Sequence, residues 1–438
     1  MIDPLASLPP TTRRRRRLVT ALVAVLIVVS ACTGSDSTSS TSVTELAPPD
    51  GEANDAEQPT DTQPTDAAID PRFDIDAVLA ADPNCVDPVV GEPLRIGYAA
   101  DLSELGGPAD GPGSQAAVHL ANLINCSGGL DGRPVEVVVQ DISGDPLATR
   151  SAMIDLLTSD VHVLLGPPFP DPGFRVLQVT DGNYAVIFTG STEPALGDNS
   201  SLSYLVAFND TQGATVAAQF ALTKGWARAI TFSSPGPYFG YNTLVFKGVY
   251  EANGGEVIGD YLFVPGETTD FSDVIPDIVA DPPDVIYTPM FAGQLVALRQ
   301  QLEAAGVQVE YLQSDAFEAT GGYTLAGIEG VYHVTHAFPD EGSRIVALND
   351  SLTAAIGSPS DAPSMVALAG DAVAVIADAY LRTGTTDPRT LGLAIANAQG
   401  VEGVTGTLSY NGSGTPTKPI YVHQVVNGQA ALAATIGS

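Results

Sequence analysis

Positive charge is scarce in this sequence: 18 Lys and Arg stand against 51 Asp and Glu in 438 residues, a formal net charge of −33. That balance excludes the basic footprint a nucleic-acid surface needs. Histidine is also rare, at five residues, and no His-Glu-x-x-His, Gly-x-Ser-x-Gly or Walker-type loop occurs. The usual signatures of zinc proteases, serine hydrolases and P-loop nucleotidases are therefore missing. Gly106-Gly107 and Gly111-Pro112-Gly113 are glycine-rich but lack the Gly-x-Gly-x-x-Gly spacing and a partnering lysine. His333 and His336, three apart on a strand, would point to opposite faces and so make a poor metal pair. No enzyme activity, metal or cofactor is expected. Long apolar runs are absent from the beginning except at Leu18–Val29, about a dozen residues, too short to span a bilayer comfortably.

That run follows the basic block Arg13–Arg17 and precedes Ser30-Ala31-Cys32, the arrangement of a signal peptide over residues 1–31. Its end resembles a bacterial lipobox, which implies that Cys32 becomes the lipid-modified first residue of the mature chain. Removing residues 1–31 would take away five arginines and Asp3, leaving 13 basic against 50 acidic residues, a charge of −37. Residues 32–90 are expected to form an acidic tether. From Thr33 to about Asp82, Ser, Thr, Asp, Pro and Ala dominate, and too little apolar surface is available to offset chain entropy. Cys85 and Cys126 remain as an even pair in an oxidising compartment, where a disulfide would fasten the tether to the first lobe; two free thiols are the alternative.

From Leu94 onward, strand-like and helix-like segments alternate. Leu94–Ala100 reads as a buried strand, Asp101–Gly113 as a loop, and a helix then carries Ala117, Leu120 and Ile124 to the stop at Gly128-Gly129. Val135–Gln140 is a second strand, completing a right-handed βαβ unit whose ligands would sit beyond the strands' carboxyl ends. Later segments repeat the alternation, with Asp210 read as the cap of a helix running to Lys224. A region of roughly 350 residues exceeds a single core, so two α/β, Rossmann-like domains with parallel sheets are expected.

The run "LINCSGGLDGRPVEVVVQDISGDP" resembles the "IN-x-x-GG-x-x-GRP-V-x-x-V-x-x-D-x-x-x-DP" signature of the leucine/isoleucine/valine-binding proteins, the type I periplasmic solute receptors of ABC transporters. "VHVLLGPPFP", "FTGSTEPAL", "FNDTQGATVAAQFA", "GETTDFSDVI", "PPDVIYTPMF" and "LRQQLEAAGVQVEYLQSDAF" continue the likeness in order, from about Leu94 to Val426. The resemblance implies two lobes joined by a three-segment hinge: residues 91–209 and 338–406 in the first, 210–337 and 407–438 in the second, with crossings near Asn209, Ala337 and Thr407. It implies an extracytoplasmic, lipid-anchored monomer that captures an amino acid or similar small amine or amide and presents it to a membrane permease. A sensory lipoprotein of the same fold, or a surface protein whose cleft has lost binding, is the alternative.

The same resemblance points to site residues. Gly190-Ser191-Thr192 matches a "G-A-T" turn that holds the ligand's α-carboxylate and α-amino group; Ser191 and Thr192 are the candidates, with a helix N-cap ahead of Pro194 as the other reading. Asp315 falls where relatives carry a glutamate that pairs with the ammonium, or else is a solvated loop acid. Phe239 and Phe291 align with aromatic walls and could equally be core. The departure lies at Gly166-Pro167-Pro168-Phe169-Pro170-Asp171, where serines usually meet the carboxylate: prolines offer neither hydroxyl nor N–H, and Asp171 would repel an anion unless it merely caps a surface helix.

Overall fold

The computed structural model describes residues 73–436. Cys32, the signal peptide and most of the tether lie outside these residues. The chain opens with α1 (Ile75–Leu79), then β1 (Leu94–Ala100), α2 (Gly107–Cys126), β2 (Val135–Asp141), α3 (Pro146–Thr158), β3 (Val163–Gly166), α4 (Pro170–Thr180), β4 (Val186–Phe188) and β5 (Ser203–Leu205). Next come α5 (Asp210–Thr223), β6 (Arg228–Ser233), α6 (Pro237–Ala252), β7 (Glu256–Leu262), α7 (Ile275–Ala280), β8 (Val285–Thr288), α8 (Ala292–Ala304), β9 (Glu310–Gln313), α9 (Ala316–Ala319) and β10 (Tyr332–Thr335). The last stretch holds α10 (Arg344–Ile356), α11 (Pro363–Thr383), α12 (Pro388–Ala396), the short pair β11 (Val401–Glu402) and β12 (Thr407–Leu408), β13 (Ile420–Val426) and β14 (Gln429–Ile436).

The described strands form two large sheets and the small β11-β12 pair. The first runs β2-β1-β3-β4-β5 and is parallel throughout. The second runs β14-β13-β10-β9-β8-β6-β7. The five strands β10-β9-β8-β6-β7 are parallel, and β13 and β14 add antiparallel beyond β10, an addition the alternating pattern does not announce. Strands buried on both faces read as near-continuous apolar runs, as in Val163-Leu164-Leu165. Each sheet reverses its strand order beside its first strand, between β2 and β3 around β1 and between β7 and β8 around β6. Open α/β sheets bind ligands in the crevice at such switch points. Helix α11, 21 residues long and apolar enough to cross a membrane, is instead the buried spine of the first lobe, flanked by α2, α10 and α12.

Two expectations need correction. The tether does not extend to residue 90: Phe73, Ile75 and Val78 bury their side chains in the first lobe's core, because the spacing in Phe-Asp-Ile-Asp-Ala-Val makes one apolar helical face. Asp74 caps this helix, and Asp76 takes two 2.7 Å bonds from Arg344. Cys85 and Cys126 are joined in a disulfide, Cα to Cα 5.7 Å. The third crossing also lies later than Thr407. Tyr410 belongs to the first lobe's core, edge-on to Tyr204, and its hydroxyl donates to the Leu205 carbonyl at 2.7 Å. Leu205 N–H in turn donates to Gly414 O at 2.8 Å. The chain leaves only near Lys418, whose buried ammonium lies 2.6 Å from Thr405 Oγ1, 3.3 Å from Asp371 Oδ2 and 3.4 Å from the Val206 carbonyl, tying the first crossing to the third. Burial pulls the Lys418 pKa down while Asp371 opposes the shift.

A second brace joins the lobes. Glu318 of α9 accepts from Ser364 N–H (2.8 Å), Ser364 Oγ (2.8 Å) and Thr335 Oγ1 (2.9 Å), which places its carboxylate at the N-terminus of α11. Under the second sheet, Tyr323 Oη lies 2.6 Å from His333 Nε2 and 3.2 Å from His423 Nδ1. Burial drives the His333 pKa well down and the His423 pKa to about 4.

Candidate functional site

The carboxyl ends of the strands of both sheets face one cleft of about 740 Å³. From the first lobe come Asp101 after β1, Pro168 to Pro172 with Arg175 at the head of α4, and Gly190-Ser191-Thr192 after β4. From the second come Gly236 to Phe239 after β6, Phe291 after β8, and Asp315 with Ala316 after β9. All seven residues singled out in the sequence, Phe169, Asp171, Ser191, Thr192, Phe239, Phe291 and Asp315, line this space.

Their surroundings differ. Ser191 is 1% exposed, and its Oγ has no hydrogen-bond partner. A buried hydroxyl without a partner costs free energy unless something supplies one. The N-cap duty goes instead to Glu193, whose side chain accepts from Ala195 N–H at 3.0 Å, so Ser191 and Thr192 are free of it. Thr192 Oγ1 donates to Asp210 Oδ1 at 2.6 Å, while Asp210 N–H donates to the Thr192 carbonyl at 2.7 Å. Asp210 is thus not a helix cap. Asn209 takes that role in a reciprocal capping box with Gln212, which leaves the Asp210 side chain to turn inward. Its Oδ2 makes no hydrogen bond, although the Asn242 amide is near enough to favour the charged form. Burial, then the charge of Asp315, pushes the Asp210 carboxyl well above the ordinary range.

Asp315 is 7% exposed, so it is no solvated loop acid. Its Oδ1 accepts from Tyr238 Oη at 2.6 Å, and its Oδ2 lies 3.4 Å from His336 Nε2. Tyr238 also meets Ser314 Oγ at 2.7 Å and accepts from Ala316 N–H at 3.2 Å, which fixes the β9–α9 turn. His336 stacks on Phe208 with centroids 4.1 Å apart, and its Nδ1 has no partner. Phe239 packs edge-on to Tyr238 (5.1 Å), Phe291 (5.5 Å) and Phe263 (5.6 Å). The aromatic lining of the cleft and the second lobe's core are therefore continuous through Phe239.

Asp171 is exposed on the cleft wall in the first turn of α4, where the helix dipole favours a negative charge. Arg175, one turn on, reaches the Gly144 carbonyl at 3.5 Å. Below this rim, Tyr98 Oη donates to Asp110 Oδ1 (3.0 Å) and lies 2.8 Å from Thr189 Oγ1, while Asp101 N–H donates to Asp110 Oδ2 (2.7 Å). This buried network holds the ends of β1 and β4 in place, and burial raises the Asp110 pKa well above its usual range.

Sequence reasoning missed Asp210, Tyr238 and His336. The signal for Asp210 was present in the Asn209-x-x-Gln212 box. Tyr238 stands in the first turn of α6, which begins at Pro237.

Two lobes that present the ends of their strands to one crevice define a class, the α/β receptors that enclose a small solute. Residues 93–430 match the family model of periplasmic binding proteins, and the chain belongs to that family. The family is one of binding proteins and not of enzymes, and it places the protein outside the cytoplasm. Among solved structures, the chain is similar to the branched-chain amino acid transporter substrate-binding protein LivJ from Streptococcus pneumoniae in complex with isoleucine (21% identity, 79% of this chain and 99% of that one, TM-score 0.69). It is similar to the leucine-binding protein LivK from Thermotoga maritima (20% identity, 78% and 99%, TM-score 0.68). A third likeness is to an ABC-transporter solute-binding protein from Rhodopseudomonas palustris in complex with p-hydroxybenzoic acid (20% identity, 79% and 97%, TM-score 0.68). At these identities the likeness establishes the fold. No curated protein matches the chain in sequence.

Proposed function

We propose that this protein is the substrate-binding lipoprotein of an ABC importer, anchored through Cys32, which captures an amino acid or a related small amine or amide between its lobes and delivers it to a membrane permease. The observation that carries this reading is the convergence of Ser191, Thr192 and Asp315 on one cleft, with the buried Ser191 Oγ lacking any partner within the protein. A solute that hydrogen-bonds there supplies what the fold leaves out. Phe169, Phe239 and Phe291 give its apolar part a surface, and Asp171 and Asp315 set the charge it meets. The ligands of the structural relatives, isoleucine and p-hydroxybenzoic acid, are small and part apolar, in keeping with a cleft of this size. The loss-of-binding alternative is not favoured, since the prolines at 167–172 leave the cleft open.

The test is a thermal-shift screen of the mature protein against amino acids, amides, polyamines and sugars. A ligand at a hundred times its Kd stabilises the native state by about 2.7 kcal/mol. Thr192→Ala and Asp315→Ala should each shrink the shift given by the best compound. Equal shifts in the parent and both variants refute the site assignment. Cys32→Ser should release the protein from the membrane fraction.

A further inference from the structure

We infer that the ligand is an organic ammonium ion with an apolar body and no carboxylate of its own. This rests on the receptor reading above and narrows it to a substrate class.

The first support is what the head of α4 lacks. Four of the six residues from Pro167 to Pro172 are prolines and have no N–H. A helix N-terminus binds anions because its free N–H groups point at the ligand. Here Pro170 and Pro172 remove two of the first-turn donors, and the Asp171 carboxylate stands between them, on the cleft wall. An incoming carboxylate would meet like charge where it needs donors.

The second support is on the opposite wall. Asp315 is held by Tyr238 at 2.6 Å, and Phe239 and Phe291, edge to face with each other, line the same cleft. Aromatic faces together with a carboxylate make a cage for a cation. The third support is Ser191 Oγ, 1% exposed on the cleft wall and without a partner, which can accept from an ammonium N–H. The same hydroxyl could donate to a carboxylate, so discrimination against an anion falls to the prolines and to Asp171. Arg175 is the one basic side chain among the described residues of the wall, and it lies on the rim beside Gly144 with Asp171 one turn away.

Four compounds sharing one ring separate the possibilities by titration calorimetry on the mature protein: 2-phenylethylamine, phenylalanine, 3-phenylpropionate and 2-phenylethanol. The amine should bind at least tenfold tighter than phenylalanine, and the acid should give no saturable heat. Asp315→Asn should weaken the amine at least tenfold. Asp171→Asn, at an exposed position that leaves folding intact, should weaken it several-fold and narrow the gap to phenylalanine. Tighter binding of phenylalanine or 3-phenylpropionate than of the amine overturns the inference and leaves the receptor reading standing. Equal binding of amine and alcohol also overturns it, because the charge would then be irrelevant. No saturable binding by any of the four, together with a blank thermal-shift screen, overturns both.

Discussion

Replacing His423 with glutamine should change how this protein tolerates acid while leaving its neutral-pH stability nearly intact. His423 is buried between β10 and β14, its Nδ1 3.2 Å from Tyr323 Oη and its Nε2 without a partner. Burial lowers its pKa from 6.5 to about 4, with a backbone group of Ala337 opposing slightly. The unfolded chain therefore takes up a proton between these values that the folded chain refuses, so stability rises with pH across the window. The contribution is whole above about pH 7, drains away as pH falls through 6.5, and is gone below about pH 4. A shift of that size corresponds to roughly 3 kcal/mol. For a body of roughly 360 residues this is about 4 °C in Tm. Glutamine does not titrate and can still meet Tyr323. Calorimetric Tm values of parent and His423→Gln, taken from pH 8 to pH 4, should differ by a constant above pH 7. The parent should then lose about 4 °C relative to the variant by pH 4. His333, whose pKa is lowered partly by the charge of His423, relaxes in the variant and adds to the same trend. Parallel curves over the whole range would show that the buried histidine does not resist protonation.

Three further perturbations have definite expectations. Reducing the Cys85–Cys126 bond, or replacing both residues with alanine, frees a 41-residue separation and should cost about 4 kcal/mol, a loss of about 5 °C by calorimetry; no loss would mean the closed loop constrains nothing. Lys418→Met leaves the buried Asp371 without its cation and should cost roughly 3–5 kcal/mol, much of it recovered by adding Asp371→Asn; a neutral single variant would refute the ion pair's part in the hinge. Gly414→Ala would drive a methyl group into the Gly197 backbone and should cost about 3 kcal/mol, whereas Gly293→Ala, in open space on α8, should gain up to about 1 kcal/mol; equal effects in thermal melts would disprove the close approach.

How far these elements could be read from the chain depended on whether local signals and packing agreed. The β1–α2–β2 unit was legible because both strands are apolar runs and Gly128-Gly129 marks the helix end. The start of α2 was not: Gly106, Gly107, Gly111, Pro112 and Gly113 signal a loop, yet the helix begins at Gly107. Packing overrides propensity there, since Gly113 lies against the Tyr98 hydroxyl and the backbone of α11, and Asp110 is buried on the network of Tyr98 and Asp101. The aromatic and hydroxyl positions of the cleft were readable from motif order. The polar layer behind them, Asp210, Tyr238 and His336, depends on which way each side chain turns, and only the three-dimensional arrangement shows that.

The Cys85–Cys126 bond and the clasp of Arg344 on Asp76 both fall on the lobe that carries α2 and α11. Tension on the chain ahead of Phe73 would therefore enter the protein through that half. The half built on β6 to β10 is coupled to it through the three backbone crossings and through the Glu318 carboxylate at the head of α11.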